Sequence, residues 1–174
     1  MSKLELVRAL YDYNEWADDC VLQAAGRLTH EELARCMGGS FGSVEGNLAH
    51  VMAGQVVWLQ RWTGGSNARP LLEVQSVRGL KALRDEFAGS HAGLRAFAET
   101  LTEERLREVL HYKDSRGTPH SRVMWQLMVH VANHGTHHRA ECSMAMALLG
   151  KPMRELDYHF FELEREAGHR GVGS

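Results

Sequence analysis

The sequence has few of the residues that interrupt helices or cross-link chains. Only three prolines occur in 174 residues, which leaves room for long helices. The three cysteines, Cys20, Cys36 and Cys142, are odd in number, widely spaced and without a C-x-x-C pair. That pattern argues against a disulfide framework and against a cysteine zinc site. Because such usage suits a reducing compartment, we expect the protein in the cytoplasm.

Long runs of charge and long apolar runs are missing as well. Lysine and arginine form no cluster and the formal net charge is −2, so we expect no nucleic-acid partner. No stretch approaches the roughly 18 apolar residues of a membrane span, and we expect no membrane partner. Hydrophobic residues make up 44% of the chain and charged residues 24%. This composition predicts one globular domain, which we place at residues 1–167, followed by a flexible tail at 168–174.

Apolar residues recur at helical spacing in four long segments. These predicted helices cover about residues 2–25, from Ser43 to the glycines at 64 and 65, Leu80–Leu101, and about Ser121–Leu149. Residues 66–75 between the second and third helices have the polar composition of a connecting loop. The sequence therefore predicts an all-α fold, a four-helix bundle with a crossover connection between helices two and three.

Shorter segments connect these helices. Thr29 and Glu32 form a capping-box pattern for a short helical turn. The segment REVLHYKDSRGTPH has β-prone flanks around a D-S-R-G turn, which predicts a small hairpin or structured loop before helix four. Residues 153–167 are predicted to form one short extra helix.

Histidine is unusually frequent: the chain has eleven, five of them between His120 and His138. On the fourth helix, steps of four and three residues define a core-facing stripe formed by Leu127, Val131, His134, His138, Glu141 and Ala145. Burying imidazoles costs roughly a few kcal/mol unless their nitrogens find partners. His134 and His138 are one turn apart, so their ring nitrogens can converge on a single metal ion.

Helix two offers a third candidate ligand, His50. Its neighbours on the same helix face, Gly46, Ala53 and Gly54, are all small, which favours either a ligand pocket at the imidazole tip or close helix packing. Three imidazoles without a carboxylate leave an open coordination position, which is typical of catalytic metal sites. The alternative is that these histidines are ordinary core or surface residues without a metal.

Other residues near the histidines have simpler interpretations. His130 lies one helical turn before His134, and Cys142 lies one turn after His138. We predict that both are core or supporting residues rather than ligands. His137 is rotated by about 100° from its neighbour on an ideal helix and is predicted to face solvent. Trp58 and Trp62, like Trp125, are predicted as core residues, with a pocket wall or a dimer face as alternatives.

Two segments carry a resemblance to a known family. NLAHVMAGQVVWLQRWTG in helix two and WQLMVHVANHGTHHRAE in helix four resemble the DinB/YfiT-like metalloenzymes, as do the Y-x-x-x-x-G and L-G-K-P-x-x-x-L-D segments. The resemblance covers most of the chain and implies a four-helix bundle, often a homodimer. It implies that His50, His134 and His138 bind one divalent metal ion, Zn²⁺ or Ni²⁺ first, with Fe²⁺ or Mn²⁺ as alternatives.

The resemblance also implies a leading functional hypothesis, a metal-dependent S-transferase that uses a low-molecular-weight thiol on a small-molecule substrate. Hydrolysis by metal-activated water is the second hypothesis, with Glu141 as the candidate general base. A non-catalytic module, in which the metal joins helices two and four, is the third. The family often reads H-R-G-Q where this chain has H-R-A-E. The arginine in this segment, Arg139, is predicted to be a solvated helix-face residue, with an anionic substrate group as its alternative partner.

Overall fold

The structure is a computed structural model that describes residues 2–64 and 70–170. At residues 168–170 only the backbone is described. In these ranges the chain forms eight helices and one two-stranded sheet. The long helices are α1 (Lys3–Ala25), α3 (Val44–Trp62), α5 (Leu80–Glu99) and α7 (Met124–Leu148). The short elements are α2 (His30–Ala34), α4 (Leu71–Gln75), α6 (Glu103–Arg107), β1 (Val109–Lys113), β2 (Pro119–Val123) and α8 (Tyr158–Arg170).

The four long helices lie where apolar periodicity predicted them, and the all-α class is confirmed. Helix α1 packs against α5 and α7, and α3 packs against the same two helices. Within the described ranges, no helix has both the length and the apolar character needed to cross a membrane.

Side-chain caps fix where several of these helices begin. The hydroxyl of Thr29 accepts a hydrogen bond from the backbone N–H of Glu32, whose carboxylate in turn accepts one from the N–H of Thr29. This is the predicted capping box of α2. Ser43 caps α3 by accepting a hydrogen bond from the N–H of Gly46 at 3.0 Å, so this helix begins where the sequence predicted it.

The predicted hairpin before the last long helix is present. Strands β1 and β2 pair in antiparallel register from Val109↔Val123 to Lys113↔Pro119. Asp114 holds the turn, because its Oδ1 accepts hydrogen bonds from two backbone N–H groups within it. Since β2 continues to Val123, α7 begins at Met124 rather than near Ser121 as predicted.

Two other connections differ in detail from the prediction. The predicted crossover loop at 66–75 contains the short helix α4, and residues 65–69 lie outside the described residues. The extra helix α8 begins at Tyr158 rather than at residue 153 and continues to Arg170. Of the tail predicted at 168–174, residues 171–174 lie outside the described residues.

The described residues form three apolar clusters: a small one of Tyr13, Ala17 and Phe161, and two large ones that have buried polar side chains between them along the long helices. One large cluster includes Leu48 and Phe87, and the other large cluster includes Trp62 and Leu94. On α1, α3, α5 and α7, polar residues fall in the sequence between members of these two large clusters. We call them the central polar layer: Asn14, Asp18, Gln55, Ser90, His91 and Arg139, all buried.

Candidate metal centre

The three histidines predicted from spacing come together between α3 and α7. Nε2 of His50 lies 2.9 Å from Nε2 of His134. One ring nitrogen from each of His50, His134 and His138 lies within 4.8 Å of the other two. Two imidazole nitrogens bound to one tetrahedral zinc ion at 2.0–2.1 Å are about 3.4 Å apart. The Nε2 atoms of His50 and His134 are therefore already at nearly the spacing of two ligands of one ion.

Glycines on α3 allow this close approach. A Cβ atom at Gly54 would lie 3.3 Å from Cε1 of His134, and one at Gly46 would lie 2.1 Å from the carbonyl oxygen of Phe41. Both positions therefore serve close packing, which was one of the two alternatives for these small residues. The other alternative, a pocket beside His50, is also present, on the side that faces the hairpin.

An aromatic ring covers the face of one candidate ligand. Phe41 stacks on His50 with ring centroids 3.7 Å apart and an angle of 21° between the planes. The same ring meets His138 edge-on at 5.3 Å. The loop that carries Phe41 turns at Gly39 and Gly42, both at positive φ. No sequence motif pointed to Phe41, because its contacts depend on how this loop folds over α3.

Hydrogen bonds orient His138. Its Nδ1 lies 3.3 Å from Oε2 of Glu141 and 3.3 Å from Oδ1 of Asn47. Because both oxygens are acceptors, Nδ1 carries the proton, which leaves the lone pair of Nε2 for an ion. Glu141 is held in turn by Ser40, whose hydroxyl donates to Oε1 at 2.7 Å and whose backbone N–H donates at 3.2 Å.

The surroundings keep the candidate ligands neutral. Burial, reinforced by the neighbouring histidines, lowers the pKa of His134 to about 3. Burial also lowers the pKa of His50 and of His138. Neutral imidazole is the form that binds a metal ion. Because these histidines are already neutral at neutral pH, binding a metal ion does not require them to release a proton.

Three other residues of α7 near these histidines lie outside the group of His50, His134 and His138. Cys142 is a core residue as predicted: it is fully buried, its Sγ lies 3.8 Å from the carbonyl oxygen of Val44, and burial raises the pKa of its thiol to about 12. His137 faces solvent as predicted. His130 is exposed and meets Trp58 edge-on, so its interpretation as a core residue was wrong.

The prediction for Arg139 was also wrong. The side chain is buried rather than solvated, and Nη1 donates hydrogen bonds to Oδ1 of Asp18 at 2.7 Å and to Oδ1 of Asn14 at 2.9 Å. The physical reason is that α7 packs against α1 as well as against α3. The helix face beside the histidine stripe is therefore interior, and the guanidinium binds a carboxylate of the protein itself.

A cavity of about 210 Å³ lies beside the histidines, between α3 and the hairpin. Its lining includes His50, Gly54, Trp58, Arg61, Leu71, Tyr112, Asp114, His120 and His134. Trp58 is thus a pocket wall, whereas Trp62 is a core residue. Nε2 of His120 lies 3.2 Å from Oδ2 of Asp114. A larger cavity of about 520 Å³ between α1 and α5 contains none of the three candidate ligands.

Comparison with known proteins places the chain in a family. The sequence model described as the DinB family matches residues 1–168. Protein DinB of Bacillus subtilis (strain 168) is 23% identical over 158 residues, which cover 87% of this chain and 91% of that protein. Because the family match spans almost the whole sequence, this chain belongs to the DinB family.

Proposed function

We propose that this protein binds one divalent metal ion through His50, His134 and His138 and uses it to transfer a low-molecular-weight thiol to an electrophilic small molecule. The scaffold in this proposal is a four-helix bundle of α1, α3, α5 and α7. One observation carries the proposal: three neutral imidazoles converge beside a cavity, with no carboxylate within the group of three. Such a donor set leaves a coordination position for a substrate.

The donor set suits several ions. Imidazole nitrogens bind Zn²⁺ and Ni²⁺ well, and Fe²⁺ or Mn²⁺ less tightly, so we propose Zn²⁺ or Ni²⁺ first. A cytoplasmic homodimer is part of the same proposal. When bound, a divalent ion on neutral ligands keeps its full charge and supplies Lewis acidity that lowers the pKa of a thiol or of water.

The side chains around the histidines have distinct roles in this proposal. Glu141 accepts the Nδ1 proton of His138 and so fixes its tautomer and ring orientation. Phe41 covers one face of His50 and keeps water from it. The cavity on the hairpin side supplies access for small molecules.

Thiol transfer can be tested with metal-loaded protein, a small thiol and a chromogenic model electrophile. We expect conjugation above the metal-free control, and its loss in the His134→Ala/His138→Ala variant, which lacks two candidate ligands. His137 is unsuitable as a control, because it forms a second group of possible ligands with His138 and Glu141. His159→Ala is the control instead, because this exposed histidine on α8 belongs to neither group. No conjugation with any thiol, together with metal-dependent thermal stabilisation alone, would favour the non-catalytic module.

Hydrolysis is the second candidate function, and one observation favours it. His120, paired with Asp114, lines the same cavity as His50 and His134. A histidine oriented by a carboxylate is a common general base. Glu141, the candidate base from the sequence, is already bound by Ser40 and His138. Ester hydrolysis that survives Glu141→Gln but falls in His120→Ala would support this alternative.

A further inference from the structure

Arg61, on α3, is a half-buried cation that lines the cavity beside the histidines. Its guanidinium lies over the rings of Trp58, with 4.6 Å to the centroid, and Tyr112, with 5.3 Å. One Nη donates a hydrogen bond to the backbone oxygen of Lys113 at 3.0 Å. Nε is buried and has no hydrogen-bond partner among the described residues. The backbone hydrogen bond and the two rings therefore hold the guanidinium in place at the cavity wall.

The acidic side chain in this cavity already has other hydrogen-bond partners. Asp114 lines the same cavity, but its oxygens accept hydrogen bonds from the backbone N–H groups of Arg116 and Thr118 and contact His120. No side-chain carboxylate of the described residues forms an ion pair with Arg61. This contrasts with Arg139, the fully buried arginine, which is bound by Asp18.

We infer that Arg61 binds the carboxylate of a small ligand whose other end reaches His50 and His134. The reason is the planar, always charged guanidinium, which pairs with a carboxylate through two parallel hydrogen bonds. Aromatic rings on two sides limit its contact with water, which strengthens its attraction for an anion. Burial lowers the pKa of Arg61, and a bound carboxylate would offset that cost.

This inference rests on the proposed function and narrows its substrate class. Since the cavity is only about 210 Å³, it suits a ligand of a few non-hydrogen atoms or one end of a larger molecule. Under the thiol-transfer proposal, the co-substrate is therefore a thiol that carries a carboxylate, rather than a neutral thiol.

Calorimetry of cobalt-loaded protein tests this with two thiols, 3-mercaptopropionate and 2-mercaptoethanol, which differ in the charge at the end away from sulfur. We expect the wild type to bind the carboxylate thiol about tenfold more tightly, as charge-assisted hydrogen bonds predict. Arg61→Gln should abolish the preference, measured as the ratio of the two Kd values. Arg61→Lys should retain part of it. Arg122→Gln is the matched control, because this exposed hairpin arginine is not among the residues that line the cavity.

The outcomes separate the two proposals. The visible spectrum of the cobalt form reports whether sulfur reaches the metal, and calorimetry reports the carboxylate preference. A spectrum changed by both thiols with equal affinities in the wild type would support thiol binding and overturn the role of Arg61. An unchanged spectrum with an Arg61-dependent carboxylate preference would overturn thiol activation and support the anion site. If Arg61→Gln fails to fold, the wild-type comparison and Arg61→Lys still decide.

Discussion

Nη1 of Arg139 lies 2.7 Å from Oδ1 of Asp18, and both side chains are almost completely buried. The second oxygen of Asp18 lies 3.1 Å from Nε2 of His91 and accepts a hydrogen bond from Gln55. A single carboxylate thus connects α1 with α3, α5 and α7. Burial by itself would raise the pKa of Asp18, but the charge of Arg139 and the hydrogen bonds lower it overall. The central polar layer therefore depends on an ionised aspartate.

The first prediction is that Asp18→Asn strongly destabilises the protein. The substitution keeps the size of the side chain but leaves the guanidinium of Arg139 buried without a counter-charge. Breaking a buried pair in this way costs about 3–5 kcal/mol of the free energy of unfolding. Urea unfolding at neutral pH measures the loss. Asp85→Asn is the control: it removes an ion pair with Lys81 on the surface of α5 and should change little. Equal effects of the two variants would show that the buried pair has no special role.

The second prediction concerns pH and His91. Burial alone would lower the pKa of His91, but the hydrogen bond and charge of Asp18, with the charges of Glu15 and Asp19, raise it overall. A histidine whose pKa is higher in the folded state binds protons more tightly there. Its stabilising contribution is fully present below the unfolded pKa of about 6.5 and is lost as the pH rises through the folded value.

Replacing His91 tests whether it stabilises the folded protein more at acidic pH than at alkaline pH. We expect His91→Gln to lose more free energy of unfolding at about pH 5.5 than at about pH 8.5, on either side of the unfolded pKa. In an Asp18→Asn background the same replacement should show a much smaller pH dependence, because the partner charge is gone. A larger loss at the alkaline end would contradict the assignment of His91 as a charged member of the layer.

The third prediction is that Glu141→Gln keeps the metal but binds it more weakly. Glutamine can still accept a hydrogen bond from Nδ1 of His138, but without the negative charge it supports the imidazole less. Removing such a supporting carboxylate lowers metal affinity by about 10-fold or more. Competition with a coloured chelator measures the affinity, and His159→Ala, an exposed histidine on α8 outside both groups of possible ligands, serves as the control. Complete loss of metal would instead indicate that Glu141 is itself a ligand.

Sequence spacing located the candidate ligands because all three lie on regular helices. The i, i+4 spacing of His134 and His138 and the small residues around His50 follow directly from helix geometry. The burial of Arg139 did not follow, because one core-facing stripe was assumed for this helix. Helix α7 is interior on two faces, and adjacent pairs of buried apolar residues are the signal: Leu127 with Met128, Val131 with Ala132, and Ala145 with Met146.

The rest of the site is built from contacts distant in the sequence. Phe41 reaches His50 through a loop, and Arg61 meets Tyr112 only because the hairpin folds over α3. His120 joins the same cavity from the hairpin. Periodicity within one helix carries no information on such contacts. The structure was therefore needed to find these surrounding residues of the site.

The last prediction compares two alanine substitutions of helical glycines. Gly89→Ala, on α5, adds a methyl group that meets nothing within 4 Å. It should stabilise the protein by about 0.5–1 kcal/mol, because glycine loses more backbone entropy on folding than alanine. Gly46→Ala places its Cβ 2.1 Å from the carbonyl oxygen of Phe41, a backbone atom that cannot rotate away. Overpacking of this kind costs about 1–3 kcal/mol or more.

Gly46→Ala should also weaken metal binding, whereas Gly89→Ala should not. Moving the backbone of Phe41 shifts the ring from His50 and shifts the adjacent Ser40, which holds Glu141 and through it His138. Thermal unfolding and chelator competition on both variants separate the two effects. If Gly46→Ala lost stability yet bound metal as tightly as the wild type, the loop would serve α3 alone, and Phe41 and Ser40 would have no part in holding the histidines.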